Sequence, residues 1–325
     1  MKALVLNAFG TYPQPSELQL PALKAGEVQV EVLAAGLNRR DYYITKGLYP
    51  GVSFPVVLGS DVCGLLNGEE VLINPNINWG NDEQVQGADY HILGMPSWGG
   101  LAEYVQVQKD RIYPKPGHLS STEAAALPLA GLTAYRALFV RGRLQAGERI
   151  LINGIGGGVA SMACLFALAA GAEVWVTSSS PAKLSEAQNW GVKGIANYKE
   201  EHWAKSLLKE TGGFDLIIDS AGGKGFADLA KLTKPAARMV FYGGTKGKID
   251  GLSPQILFWR QVTLMGSTMG SDADFEAMLA FVTKHKIRPI IDQVYPAKAV
   301  ADAFDTLEKS SQLGKLIVAI KGGFD

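Results

Sequence analysis

At 325 residues the chain is longer than an average domain of about 100–200, so two lobes are expected. Its 47% hydrophobic and 19% charged residues supply enough apolar surface for a folded interior and exclude intrinsic disorder. Thirty-one Lys and Arg residues balance 31 Asp and Glu residues, so no global field draws the protein to nucleic acid or anionic lipid, and a small-molecule partner is expected.

In chain order, MKALVLNAFG holds an apolar run after Lys2 that is too short for a secretory core of about 7–15 residues, and it reads as a first strand. Glu27 to Leu33, Glu70 to Ile73 and Glu103 to Val107 are further strand-like runs, separated by glycine and proline. Ser121 to Ala137 then reads as helix. From Arg149 strands alternate with helical patterns, at Arg149–Asn153, Glu173–Thr177, Gly194–Ala196, Asp215–Asp219, Arg238–Tyr242 and Thr263–Gly266. Ser180 as N-cap and Pro181 behind it open one of the intervening helices. A helix from Asp272, a strand Ile290–Tyr295, a helix Ala297–Glu308 and a strand Lys315–Ile320 complete the chain and are assigned to the first lobe. The apolar stretch Val159 to Ala172 falls short of the about 20 residues a membrane span needs, so no membrane association is expected. Two cysteines, Cys63 and Cys164, are too few for a disulfide framework or a four-cysteine zinc lobe. They are read as small buried hydrophobes in a cytoplasmic protein.

Residues 149–180 form one strand, glycine cluster, apolar helix and second strand. The cluster reads GxxGxxA through Gly154, Gly157 and Ala160, with Gly158 and Val159 alongside. Glycine lets the backbone turn tightly and approach a pyrophosphate, and a helix N-terminus then faces the anion. A tight strand-to-helix turn uses glycine for steric reasons too, so the βαβ context carries the dinucleotide reading. An NAD site wants Asp or Glu about 20 residues on, for the ribose 2′-hydroxyl. Here stand Ser178, Ser179 and Ser180, with Lys183 nearby, which favours NADP(H). The alternative is that Ser180 caps the next helix and Lys183 is solvated.

GLNRRDYYITKGLYP (residues 36–50), LGSDVCG (58–64), NPNINWG (74–80) and PLAGLTAY (128–135) resemble segments of the medium-chain dehydrogenase/reductase superfamily, in its zinc-free quinone oxidoreductase-like branch. The resemblance runs the whole length. It implies a six-stranded, doubly wound parallel Rossmann sheet in residues 124–266 and a GroES-like, mostly β catalytic domain in residues 1–123 and 267–325. The family's catalytic zinc takes a Cys, a His and a second Cys or an acid. Those positions match Asn38, Ser60 and the stretch Pro128 to Leu129, and Asp61 replaces the usual glutamate. Trp79 to Met95 lacks the cysteines of a structural zinc lobe, and His91, His118, His202 and His285 are scattered. No functional zinc is expected.

Without a Lewis acid, hydrogen bonds must stabilise the developing oxyanion, which suits an enolate or hydroquinone oxygen better than an alkoxide. The expected reaction is hydride transfer from NADPH to a quinone or an activated alkene or carbonyl. Asn38 and Tyr43 are the candidate donors and Asp41 an orienting group; a turn-stabilising Asn38 and packed tyrosines are the plainer alternative. By resemblance Thr133 approaches the nicotinamide and Tyr198 the 2′-phosphate. Ser220 and Ala221, Tyr242, Gly243, Gly244 and Thr245, and Ser267 and Thr268 follow strand ends, where such sheets bind ligands or simply turn. Lys315 either reaches phosphate or begins an exposed strand. Metal-free alcohol or aldehyde interconversion and a non-enzymatic, crystallin-like NADPH-binding role are the competing functions. The family implies a homodimer, for which an edge strand near Arg260 to Gly266 offers a pairing surface.

Overall fold

The computed structural model describes residues 1–325, which divide into two units, Met1–Leu132 with Gly270–Asp325, and Thr133–Met269. In the second unit the strand–helix alternation closes into one six-stranded sheet. Its spatial order is Gly194–Asn197, Glu173–Ser178, Arg149–Ile152, Phe214–Asp219, Thr233–Phe241 and Thr263–Gly266, and every pair is parallel. The chain direction of travel reverses between Arg149–Ile152 and Phe214–Asp219, the switch point beside which open α/β sheets bind ligands. The central strands are apolar because helices cover both faces: Ile150, Leu151, Ile152, Leu216, Ile217 and Ile218 are fully buried. Helix Gly158–Ala169 is apolar nearly all round, with Met162, Ala163, Cys164, Phe166 and Ala167 buried. Trp175, Phe214, Phe226 and Met239 fill a core on the sheet.

The first unit is mostly β. Strand Glu27–Leu37 is the hub of a seven-stranded sheet; it pairs antiparallel with Asp61–Leu66, Tyr104–Gln108 and the C-terminal strand Lys315–Ala319. A three-stranded sheet joins Gln14–Glu17, Lys2–Leu6 and Val56–Val57. Leu4, Leu6, Val30, Ile44, Leu58, Leu93 and Phe304 pack between them.

Two elements differ from the sequence reading. The helix expected over Ser121 to Ala137 is broken into Ser121–Ala125 and Pro128–Tyr135, followed by a wide helical turn at Arg136–Arg141. Pro128 cannot donate the hydrogen bond that would continue the first helix, so it starts a new one. Lys315 does begin a strand, but that strand is not exposed: the residue is 2% accessible, because Lys315–Ala319 lies between Glu27–Leu37 and Ile291–Pro296.

Candidate active site

Sheet topology gathers the first group of polar residues. Asn38 follows strand Glu27–Leu37, Asp61 opens Asp61–Leu66, and Lys315 opens Lys315–Ala319; Gly36 pairs with Asp61 and Leu37 with Leu316, so the three lie at one end of the sheet. The Lys315 ammonium donates to Asn38 Oδ1 at 2.7 Å and to Asp61 Oδ2 at 2.7 Å. Asn38 Nδ2 donates to Asp61 Oδ2 at 2.9 Å, and the amide of Leu129 donates to Asp61 Oδ1 at 2.6 Å. Gly36 is required here: a Cβ would strike the carbonyl oxygen of Ala125 and press on the Asp61 side chain.

Asn38 also stands at the start of helix Arg39–Thr45, where it forms a capping box with Asp41, and its side chain bonds to Asp61 and Lys315. Asp41 ties the local backbone together. Its Oδ2 accepts from the backbone N–H of Asn38 at 2.8 Å and its Oδ1 from that of Gly59 at 3.3 Å. Burial pushes the Asp41 carboxyl above the usual carboxylate range, against the opposing pull of Arg40. Arg40, itself buried, donates to Ser60 Oγ at 2.8 Å and to the carbonyl of Leu93 at 3.1 Å. Tyr43 stands apart. It is half-buried, its ring rests on Tyr42 at 5.9 Å between centroids, and no hydrogen bond joins it to Asn38.

In the second unit, the glycine turn is tied to the strand ends by side chains. Asn153 Nδ2 donates to Asp219 Oδ1 at 2.6 Å, Thr177 Oγ1 donates to Asn153 Oδ1 at 2.5 Å, and the amide of Gly154 donates to Thr177 Oγ1 at 3.1 Å. Gly154 has φ +77°, and a Cβ there or at Gly157 would project into open space. Gly157 carries no capping side chain, so the first-turn amides of Gly158, Val159 and Ala160 are open to an anion. Gly243 is needed for packing, since a Cβ would lie 2.7 Å from the carbonyl oxygen of Ser220. Tyr242 is bonded to Asp219 through its amide, and Thr245 and Lys246 through theirs to Ser220 and Ala221, which leaves Gly244 within a closed loop. Burial raises the Tyr242 hydroxyl. The Ser267 hydroxyl is buried without a partner in the chain, Thr268 is exposed, and Thr133 is buried with its hydroxyl 3.8 Å from Met269 Sδ.

At the end of strand Glu173–Ser178 no carboxylate appears. Ser178 turns inward and its Oγ accepts from the amide of Ser180; Ser180 caps the next helix, accepting from the amide of Lys183. Ser179 is exposed and accepts from Tyr198 OH at 3.2 Å, so Tyr198, from the neighbouring strand end, meets the serine run. The open glycine turn and the orphaned Ser267 hydroxyl fit a dinucleotide.

A zinc ion fits less well. The residues at the sheet end include neither a thiolate nor an imidazole; of the two carboxylates, Asp61 is paired with Lys315 and Asp41 accepts from the backbone amides of Asn38 and Gly59. No group of three or more His, Cys, Asp and Glu side chains is arranged to hold a metal. Burial pushes the Cys63 and Cys164 thiols up to about 12, so both are inert apolar fillers. No helix is long and apolar enough to cross a membrane.

The residues that sequence reasoning did not select are Lys315 and Asp61 as a pair, Arg40 with Ser60, and the trio Asn153, Thr177 and Asp219. The trio had a signal: polar residues closing three adjacent apolar strands.

A sequence model of the alcohol dehydrogenase GroES-like domain matches residues 24–117, and one of zinc-binding dehydrogenases matches residues 158–284. The zinc-type alcohol dehydrogenase-like protein YogA of Leptosphaeria maculans is 34% identical, over 95% of each chain. The chain belongs to the medium-chain dehydrogenase/reductase superfamily. Among solved members, an NAD-dependent alcohol dehydrogenase superposes with TM-score 0.93 at 32% identity, covering 98% of this chain and 100% of that one. The quinone oxidoreductase of Thermus thermophilus, solved also with NADPH, superposes at 0.84 with 29% identity over 98% and 100%. As a superfamily member with alcohol dehydrogenases and quinone oxidoreductases as relatives, the protein is an oxidoreductase that uses a nicotinamide cofactor.

Proposed function

We propose that the protein is a zinc-independent, NADPH-dependent reductase of quinones or of activated alkenes and carbonyls. The observation that carries this reading is the buried Lys315–Asp61–Asn38 network, in which an ammonium–carboxylate pair is bonded to Asn38, the residue at one of the positions that match the family's zinc ligands.

NADPH, when bound, supplies the hydride. At the glycine turn of Gly154 and Gly157 the open amides of Gly158, Val159 and Ala160 receive the pyrophosphate, and Ser179, Lys183 and Tyr198, with Ser178 and Ser180 shaping the turn, receive the 2′-phosphate. No carboxylate repels that phosphate, and the solved quinone oxidoreductase complex with NADPH supports the choice. Thr133, Ser220, Ala221, Tyr242 to Thr245, Ser267 and Thr268 hold the nicotinamide half. On the substrate side, the Nδ2–H of Asn38 donates to the oxygen where charge develops, and the Tyr43 O–H is the second donor. One well-placed donor lowers such a barrier by about 3–4 kcal/mol. Asp41 keeps the Asn38 backbone in place. The delocalised charge of a hydroquinone or enolate needs no stronger electrophile.

The likeness to an NAD-dependent alcohol dehydrogenase favours a second reading, alcohol or aldehyde interconversion with the same cofactor cradle. Titration with NADPH and NADH, then NADPH oxidation across quinones, enones and aldehydes, separates the two. Tighter NADH binding discards the NADP(H) assignment, and turnover confined to aldehydes promotes the second reading. Binding of NADPH with no turnover on any acceptor would instead support the non-enzymatic role.

The reading carries a cytosolic location, no nucleic-acid or membrane partner, and a homodimer. For the last, strand Thr263–Gly266 stands at the sheet edge, and Phe258 and Trp259 on the preceding helix are 63% and 83% exposed. Light scattering that gives a monomer would refute the dimer.

A further inference from the structure

We infer that Lys315, held by Asp61, is a positioning residue that fixes which end of the Asn38 carboxamide faces the substrate. This rests on the reading of Asn38 as the oxyanion donor and deepens it. A carboxamide has an acceptor at one end and two donors at the other, and a half-turn exchanges them. An ammonium has protons only, so the atom facing Lys315 Nζ at 2.7 Å must be the amide oxygen. An ionised carboxylate has lone pairs only, so the atom facing Asp61 at 2.9 Å must be the amide nitrogen. The two neighbours read both ends of the same group, and the flipped form would set N–H against ammonium and oxygen against carboxylate. One Nδ2 proton is taken by Asp61, and the other is left to donate.

The pair is built for orientation. Lys315 and Asp61 bond to each other at 2.7 Å, so they bring no net charge to the site. Their side chains are 3% and 0% exposed, which keeps water from competing for the amide. Both sit at strand starts on either side of the strand that ends at Leu37, and the bare α-carbon of Gly36 lets Asp61 approach. A surface lysine would have neither constraint. Asn38 is thereby held in one of the two senses of its carboxamide before any substrate arrives.

The test replaces the pair with Lys315→Met and Asp61→Asn together, which leaves no lone buried charge and lets the amide take either sense. In the ligand-free protein, labelled with 15N-asparagine and assigned by its loss in Asn38→Ala, the Asn38 side-chain amide exchanges slowly with solvent. It exchanges faster in the paired variant. Exchange in the wild-type protein as fast as that of surface asparagines would overturn the inference without reference to any substrate. With NADPH and 1,4-benzoquinone, the paired variant loses about two- to sixfold in kcat, the two senses of the carboxamide times up to three χ1 wells, with KM for NADPH unmoved. In an Asn38→Ala background the same two changes cost nothing further, which a merely structural pair would not show. Wild-type kcat in the paired variant, with a clear loss in Asn38→Ala, overturns the inference and leaves the functional reading intact. Unchanged kcat in Asn38→Ala overturns that reading of Asn38.

Discussion

Lys315→Met alone tests the electrostatic account of the sheet end. Methionine keeps most of the aliphatic stem, so the main loss is charge. Asp61 is fully buried and loses its ammonium, keeping only the amide of Leu129 and Asn38 Nδ2 as donors. Breaking a buried ion pair by removing one partner costs about 3–5 kcal/mol. The two surviving donors place the expected cost near the lower bound, about 3 kcal/mol, roughly a hundredfold in the folding equilibrium. Urea unfolding at pH 7, followed by circular dichroism, reads this as a midpoint lowered by about 1 M for a slope of about 3 kcal/mol/M. The paired change Lys315→Met with Asp61→Asn recovers most of the loss. Lys2→Met, which removes a surface pair with Asp325, serves as the control and leaves the midpoint unmoved. A midpoint for Lys315→Met within about 0.2 M of wild type would refute the claim that Asp61 is a buried charge dependent on this lysine.

Ser179→Asp sets a carboxylate beside Tyr198 OH, which should lower kcat/KM for NADPH by about tenfold or more and narrow the gap to NADH; an unchanged ratio would remove Ser179 from the 2′-phosphate site. Gly154→Val projects a side chain into the open turn from a φ of +77°, so NADPH affinity should fall at least tenfold, a conservative bound on the lost pyrophosphate contacts. Calorimetric titration checks it, and wild-type affinity would contradict the cradle. Glu308 accepts from Tyr12 and Tyr42 and lies beside Lys46, and the bond from Tyr12, then that from Tyr42, holds its carboxyl down at about 2. A depressed folded-state value adds stability above the ordinary carboxylate range and loses it as pH falls toward 2. Wild type should therefore outlast Glu308→Gln at pH 7 and match it near pH 2, in thermal unfolding across that window.

The strand and helix pattern of the second unit was legible because central parallel strands are continuously apolar, and punctuation by glycine and proline marks their ends. All six strands appear where the pattern put them, with ends shifted by a few residues. The alanine-rich run from Ser121 concealed the break at Pro128, since composition there outweighs one proline. Asn38 and Asp41 could be singled out as polar residues in a short segment that resembles the family's. Lys315 could not be placed: its partners Asn38 and Asp61 are 277 and 254 residues away in sequence, and only the return of the C-terminal strand beside Glu27–Leu37 makes them neighbours. For the same reason a charged residue at a strand start reads as exposed until the strand is seen to have neighbours on both sides. The serine run after Glu173–Ser178 was legible as an absence of acid, while the division of labour among its three hydroxyls needed coordinates.

The most direct measurement is stopped-flow oxidation of NADPH by 1,4-benzoquinone, with enzyme dialysed against a zinc chelator and its metal content counted. The account predicts undiminished hydride transfer at negligible zinc, and no gain when zinc is returned. Activity that vanishes on chelation and recovers in proportion to added zinc would contradict it.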